Sequence, residues 1–299
     1  MPGVNVCLSF DFDAMSVWIN PFRARDLSTM SRGEFGAVAI PRILKLLGDR
    51  KIPATFFVPG HTASAFPELV EDIAAAGHEI GHHGWVHETP AQLDADEERR
   101  AFERGLEVLE KVVERRPEGY RSPGCAITAT TIALLAEHDM LYDSSCLGDD
   151  VSPYYLRRGD RWSRVGPYVF GESCDVVEMP ISWARDDFPA FEYVPRAATG
   201  SSAPSAVLEA WQGDFDYAHR DHDDALYTLV LHPQTIGRGH RILLLERLLD
   251  HMQAHGDARF TTLADCAARW REANPLSSWV ATERVHARAT GDPAEDRSG

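Results

Sequence analysis

The sequence predicts an α/β fold built on a largely parallel sheet. Short β-rich segments alternate with longer helical patterns from the first residues onward. Polar, chemistry-bearing residues recur at the ends of the predicted strands, where βα loops build active sites. Alternation at this frequency calls for a parallel sheet covered by helices, and closure into a barrel is one of two ways to finish it.

Val4 to Asp11 is predicted as a strand, Val38 to Asp49 as a helix, Ala54 to Val58 as a strand and Pro67 to Ala76 as a helix. His78 to Gly81 gives another strand. Asp94 to Glu114 gives a long amphipathic helix, with Leu106, Leu109 and Val113 set among charges. Gly119 to Arg121 is a short strand, and Thr128 to His138 a helix opened by a threonine cap. Val176 to Pro180 and Leu226 to Leu231 read as buried strands, Arg241 to Ala254 and Leu263 to Ala273 as helices. Three stretches break the rhythm and are expected to be functional loops: Met15 to Phe35, Leu147 to Ser173 and Trp183 to Asp224. With no internal repeat or linker, residues 1–275 are taken as one catalytic barrel. Residues 276–299 are taken as a partly disordered extension, unpatterned from about His286.

The 46 acidic side chains outnumber the 30 basic ones, for a formal charge of -16, and no basic run offsets that field. Nucleic acid and anionic membrane surfaces are therefore not expected partners. No apolar run approaches the ~20 residues that span a bilayer, and Met1 to Asp11 lacks the features of a signal peptide. The five scattered cysteines, Cys7, Cys125, Cys146, Cys174 and Cys266, suit reduced thiols. A soluble cytoplasmic protein is the expectation.

Four clusters carry chemistry. In Ser9 to Ala14, extended geometry points Asp11 and Asp13 to one side, so one carboxylate can hold a cation while the other acts on a proton. Two solvated carboxylates are the alternative. In Gly77 to His87, His83 and His87 are four apart, which on a helical turn places both imidazoles on one face for a shared metal. His78 and His82 fall off that spacing and are assigned supporting or structural roles. In Gly119 to Cys125, Arg121 can orient a carboxylate, and the turn at Pro123-Gly124 offers backbone N–H groups to an oxyanion. Arg121 can equally be a surface cation. His232 ends a strongly apolar strand and suits acid catalysis near neutrality, with a core histidine as the alternative.

These residues resemble the polysaccharide deacetylases, the carbohydrate esterases of family four. Asp11-Phe12-Asp13 resembles the first motif of that family, His83 to His87 its HxxxH motif, Arg121-Ser122-Pro123-Gly124 its Arg-Pro turn and His232 its late Leu-x-His motif. The resemblance runs from about Val4 to Trp270 and implies a distorted (β/α) barrel with fewer than eight regular repeats. It implies Asp11 as general base, Asp13, His83 and His87 as ligands of a divalent metal, Arg121 as the group orienting Asp11, and His232 as general acid. A backbone N–H near Gly124 would then help hold the oxyanion. The bound cation would polarise the substrate carbonyl and activate a water. An Asp and two His with open positions suit Zn²⁺ first, with Co²⁺, Ni²⁺, Mn²⁺ and Fe²⁺ also compatible.

Tyr142 to Ser145, Trp183 to Pro189 and His232 to Arg238 are more similar to a cytosolic branch of the family, often homo-oligomeric. That branch includes peptidoglycan-deacetylase-like proteins, cyclic-imide hydrolases and allantoinase-like enzymes, the last pointing to a metal-free variant. Gly84 stands where the HxxxH motif usually has Ser or Thr, and Cys125 follows the Arg-Pro turn. The expected substrate is a sugar amide or a small cyclic imide. Trp18, Trp183 and Phe188, on the long loops, are expected to decide between them by lidding or opening the pocket, unless they serve only loop packing. A non-catalytic metal- or ligand-binding barrel is the reading of another class, and it would have no use for Asp11, Arg121 and His232 beside the metal.

Overall fold

The first strand, β1 (Val4–Asp11), shows how the chain is layered: every residue in it is buried. Its alternate side chains Val4, Val6, Leu8 and Phe10 join the core beneath the outer helices. Cys7, Ser9 and Asp11 point the other way, into the curl of the sheet. The computed structural model describes residues 3–194, 200 and 202–280. In chain order, β1 is followed by α1 (Ser16–Ile19), α2 (Leu27–Arg50), β2 (Thr55–Val58), α3 (Gly60–Ala65), α4 (Pro67–Ala75) and β3 (Glu79–His82). Next come α5 (Ala95–Val113), β4 (Gly119–Tyr120), α6 (Ala129–Glu137), β5 (Tyr142–Asp143), β6 (Tyr154–Arg158) and β7 (Glu172–Glu178). The chain continues through α7 (Asp187–Phe191), α8 (Pro204–Asp221), β8 (Ala225–Leu231), α9 (Pro233–Ile236), α10 (Gly239–Gln253), β9 (Arg259–Phe260) and α11 (Leu263–Ala273).

Among the described residues the strands run β6-β7-β5-β4-β3-β2-β1-β8, with β9 also paired to β1. All pairs are parallel except β6 with β7. The curl closes through a thin seam: a bridge between Asp186 and Val230 and the Leu226 N–H donating to the Val151 carbonyl at 2.7 Å. The result is a distorted, incompletely closed (β/α) barrel. The C-terminal strand ends gather Asp11, Arg121 and His232 on one rim. No described helix is long and apolar enough to cross a membrane.

Helix α2 begins at Leu27 rather than Val38 and runs through Pro41. Pro41 costs about 3 kcal/mol and each interior glycine about 1 kcal/mol. Burial of Ile40, Ile43, Leu46 and Leu47, at ~1.5–3 kcal/mol each, outweighs them. Gly33 has a positive use as well: a Cβ there would stand 2.5 Å from the Ala14 carbonyl oxygen, so the helix sits directly on the turn that follows β1. The stretch Trp183 to Asp224 holds α7 and α8, and Leu147 to Ser173 folds into β6 and the antiparallel start of β7. Residues 276–280 continue as helix, with Trp279 packed on Trp270 and Tyr155. The tail from His286 lies outside the described residues.

Candidate active site

Asp13 follows β1 in a turn whose carbonyl oxygen is tied down by the Ser16 N–H at 3.0 Å and the Thr62 hydroxyl at 2.6 Å. Its side chain is wholly buried, and neither carboxylate oxygen has a hydrogen-bond partner among the described residues. The nearest groups are imidazoles: His83 Nε2 at 3.4 Å, His232 Nε2 at 3.7 Å and His87 Nε2 at 3.8 Å. Burial pushes the Asp13 carboxyl up, but the surrounding imidazoles of His87, His83 and His232 outweigh it and bring the pKa to about 2. A buried carboxylate left without hydrogen bonds is strongly unfavourable, and a cation shared with the histidines would satisfy it. One donor atom each from Asp13, His83 and His87 lies within 4.8 Å of the others, so the residues fit a metal ion.

The two histidines meet differently from the expected helical turn. His83 and His87 flank an irregular turn after β3 in which Gly84 has φ +71° and His87 φ +59°. The Glu88 carboxylate holds this turn by accepting from the Trp85 and Val86 N–H groups, at 3.1 and 2.8 Å. The left-handed backbone explains Gly84: a side chain there would be strained, and its Cβ would crowd Pro123 at 3.2 Å. His83 Nδ1 donates to the Arg121 carbonyl at 2.7 Å, which fixes the ring and turns Nε2 toward Asp13. Burial lowers the His83 pKa, yet Asp13 and Asp11 hold it above the ordinary value. Burial brings His87 down to about 4, against the pull of Asp13, so its lone pair is free at neutral pH. His82 is also buried, but its ring packs against Phe102 and Tyr120, away from the cluster.

Arg121 is fully buried and all its bonds aim one way. Nη1 donates to Asp11 Oδ1 at 2.8 Å and to the Ser9 hydroxyl at 2.7 Å. Nε and Nη2 hold the Ser144 carbonyl and hydroxyl at 2.9 and 2.8 Å, and the guanidinium lies over Phe57 at 4.3 Å. With Oδ1 of Asp11 so engaged, Oδ2 is left facing His83 Nε2 at 3.9 Å and His232 Nε2 at 4.0 Å.

His232 receives a partner that no local motif signalled. Its Nδ1 and backbone N–H both donate to Asp187, at 2.8 Å and at 3.0 and 3.1 Å. Burial alone would lower the imidazole. The hydrogen bond and charge of Asp187, with Asp186 and Asp13 beyond, hold it well above the usual histidine range. Burial also raises Asp186 to about 7, against the charge of His232. Asp187 lies within a heptapeptide noted for resemblance, but its spacing from His232 is set by β8 and α8, which sequence does not measure.

The loop aromatics divide. Phe188 lies 5.2 Å from the His232 ring, centroid to centroid, with Phe22 stacked beyond it at 6.2 Å. Trp18 is 1% exposed, covered by Phe22, Phe188 and Arg32, so it backs the wall instead of facing substrate. Trp183 is exposed at the surface. Gly124 is exposed with φ +65°, and the next N–H, of Cys125, is already bonded to the Ser122 carbonyl at 2.8 Å. A cavity of 390 Å³ opens between His78, Arg116 and Thr262 at the opposite rim. None of Asp11, Asp13, His83, His87, Arg121 and His232 lines it, so the site is recognised by its polar geometry and not by cavity size.

Comparison with known proteins places the chain in a family. A sequence profile of the polysaccharide deacetylase family matches residues 30–142. The chain is 32% identical to a peptidoglycan deacetylase of Helicobacter pylori over 284 residues, 90% of this chain and 97% of that protein. It is 30% identical to a peptidoglycan deacetylase-like protein of Gibberella zeae over 290 residues, 88% and 85% of the two chains. A crystal structure of a candidate polysaccharide deacetylase from Mycobacterium smegmatis superposes with a TM-score of 0.80 at 34% identity, covering 91% of each chain.

Proposed function

Since the chain belongs to the polysaccharide deacetylase family and is a hydrolase of non-peptide C–N bonds, we propose that it removes the acetyl group from an N-acetylated amino sugar. The observation that carries the reading is the convergence of Asp11 Oδ2 and His232 Nε2, 4.0 Å apart, beside the unpaired carboxylate of Asp13.

Asp13, His83 and His87 would hold the divalent ion, with Zn²⁺ the first choice for this donor set. When bound, the ion supplies Lewis acidity to the amide carbonyl and lowers the pKa of water. Asp11, fixed through Oδ1 by Arg121, accepts through Oδ2 the proton of the attacking water. Water adds its oxygen to the carbonyl carbon, and the C–N bond breaks. His232, kept protonated by Asp187, gives its proton to the departing nitrogen, so an amine and a carboxylic acid leave. Asp11, Arg121 and His232 have no purpose in a purely structural metal site, which argues against a non-catalytic barrel.

A small cyclic imide is the second reading, favoured by Phe188 standing over His232 and by the near-complete burial of Asp11, Asp13 and His87. The test is release of acetate from N-acetylglucosamine oligomers, set against ring opening of succinimide-type imides. Oligomer turnover is expected. Imide turnover alone would move the substrate to the small-molecule branch, and turnover of neither would overturn the hydrolase reading.

We further propose a reducing, cytosolic setting, supported by the free thiols of all five cysteines, and self-association. The exposed aromatic edge of Trp162, Tyr168 and Phe170 supports the latter. A solution mass equal to one 33.3 kDa chain would contradict it.

A further inference from the structure

A second group of metal-binding side chains lies at the opposite end of the molecule. Helices α8 and α10 run antiparallel to β8, so their C-terminal ends meet at the N-terminal rim of the sheet. That rim is roughly 20 Å, the length of β8, from His232. There α8 contributes Asp216 and His219, three apart on one face, while the end of α10 and its following turn contribute His251 and His255. We propose that Asp216, His251 and His255 form a divalent transition-metal site that clamps α8 to α10.

Three observations carry this. One donor atom from each of the three residues lies within 4.8 Å of the other two, and an ion bound at ~2.0–2.2 Å from each would draw them together. Next, the rings are held in place. His255 Nδ1 donates to the His251 carbonyl at 3.0 Å, which leaves the lone pair on Nε2. The rings of His251 and His255 pack edge-on against the buried ring of Phe215 and lie 5.1 Å from each other. Third, the charge suits a cation. His251 Nε2 already meets Asp216 at 2.6 Å, and His219 beside it meets Asp257 at 2.8 Å. Both helices also direct their negative C-terminal ends to this spot. Imidazole donors select Zn²⁺, Ni²⁺ or Cu²⁺ over Ca²⁺ and Mg²⁺.

The site is independent of the catalytic reading, and the experiment separates the two. Full-length protein is dialysed against Zn²⁺ and its metal counted by elemental analysis, alongside His251→Ala/His255→Ala, Asp216→Asn and Asp13→Ala. Two equivalents are expected for the unaltered chain, and one for each of the three variants. Turnover should be kept in the first two and lost in the third. Zn²⁺ should raise the Tm of Asp13→Ala, and that rise should vanish when His255→Gln is added. Two equivalents in His251→Ala/His255→Ala, or no Zn²⁺-dependent Tm shift in Asp13→Ala, would overturn the proposal.

Discussion

Single residues set the chemistry, and here the sequence was most informative. Asp11, Asp13, His83, His87, Arg121 and His232 stand in short motifs at strand ends, and the fold brings all six together. The residues that orient them were harder to find. Ser9 and Ser144 are ordinary strand-end serines until Arg121 is seen to bond both, and Asp187 reaches His232 across 45 positions. That pair makes a prediction. Asp187 raises the His232 pKa, and with the protonated imidazole as the proposed acid, activity should be present below that pKa and lost as pH rises through it. In Asp187→Asn the pKa falls, so the alkaline limb of the kcat profile should move to lower pH, with kcat reduced by roughly 10²-fold or more. An unmoved limb would remove Asp187 from this role. Metal retention has the opposite dependence. His83 sits above its ordinary pKa, so protons compete with the ion as pH falls. Dialysis at pH 5 should strip metal that dialysis at pH 7.5 leaves in place.

At the scale of elements, strands and regular helices were legible because their periods are local. The errors came where tertiary contacts override propensity. Leu27 to Gly36 reads as loop because serine, threonine and glycine break the helical pattern, yet Asp26 caps it through the Thr29 N–H at 2.8 Å and Gly33 packs on the Ala14 turn. The His83 to His87 segment was assigned a helical turn from spacing alone. Its left-handed residues, Gly84 and His87, give the same convergence by another path. Gly84→Ala should therefore destabilise the protein by about 1–2 kcal/mol and weaken metal retention, because the turn carries both proposed histidine ligands. Thermal unfolding should show a Tm about 2–8 °C lower. An unchanged Tm with unchanged metal content would mean the turn relaxes freely.

At the scale of the whole molecule, strand and helix alternation predicted a barrel, but not where it fails to close. The seam depends on Asp186, Val230, Val151 and Leu226, whose pairing spans loops with no periodic signal. The junction with the extension was likewise illegible. Trp279 packs onto Trp270 and Tyr155, so the first residues beyond 275 are tied to the barrel, while the tail expected to fray from His286 lies outside the described residues. Trp279→Ala should cost about 2 kcal/mol, less than the ~3–5 kcal/mol of a fully buried tryptophan because this ring is only partly covered. Denaturant unfolding should show the midpoint fall at constant m-value; an unchanged midpoint would leave that packing without consequence.

This barrel is a hydrolase of non-peptide C–N bonds, with Asp13 proposed to hold metal and Asp11 to move the proton. The most direct test is metal content and turnover measured on the same samples of Asp11→Asn and Asp13→Ala. Asp11→Asn should keep the metal content of the unaltered protein while turnover falls by about 10²–10⁴-fold, and Asp13→Ala should lose one equivalent of metal together with turnover. Full metal content in Asp13→Ala, or undiminished turnover in Asp11→Asn, would contradict the account.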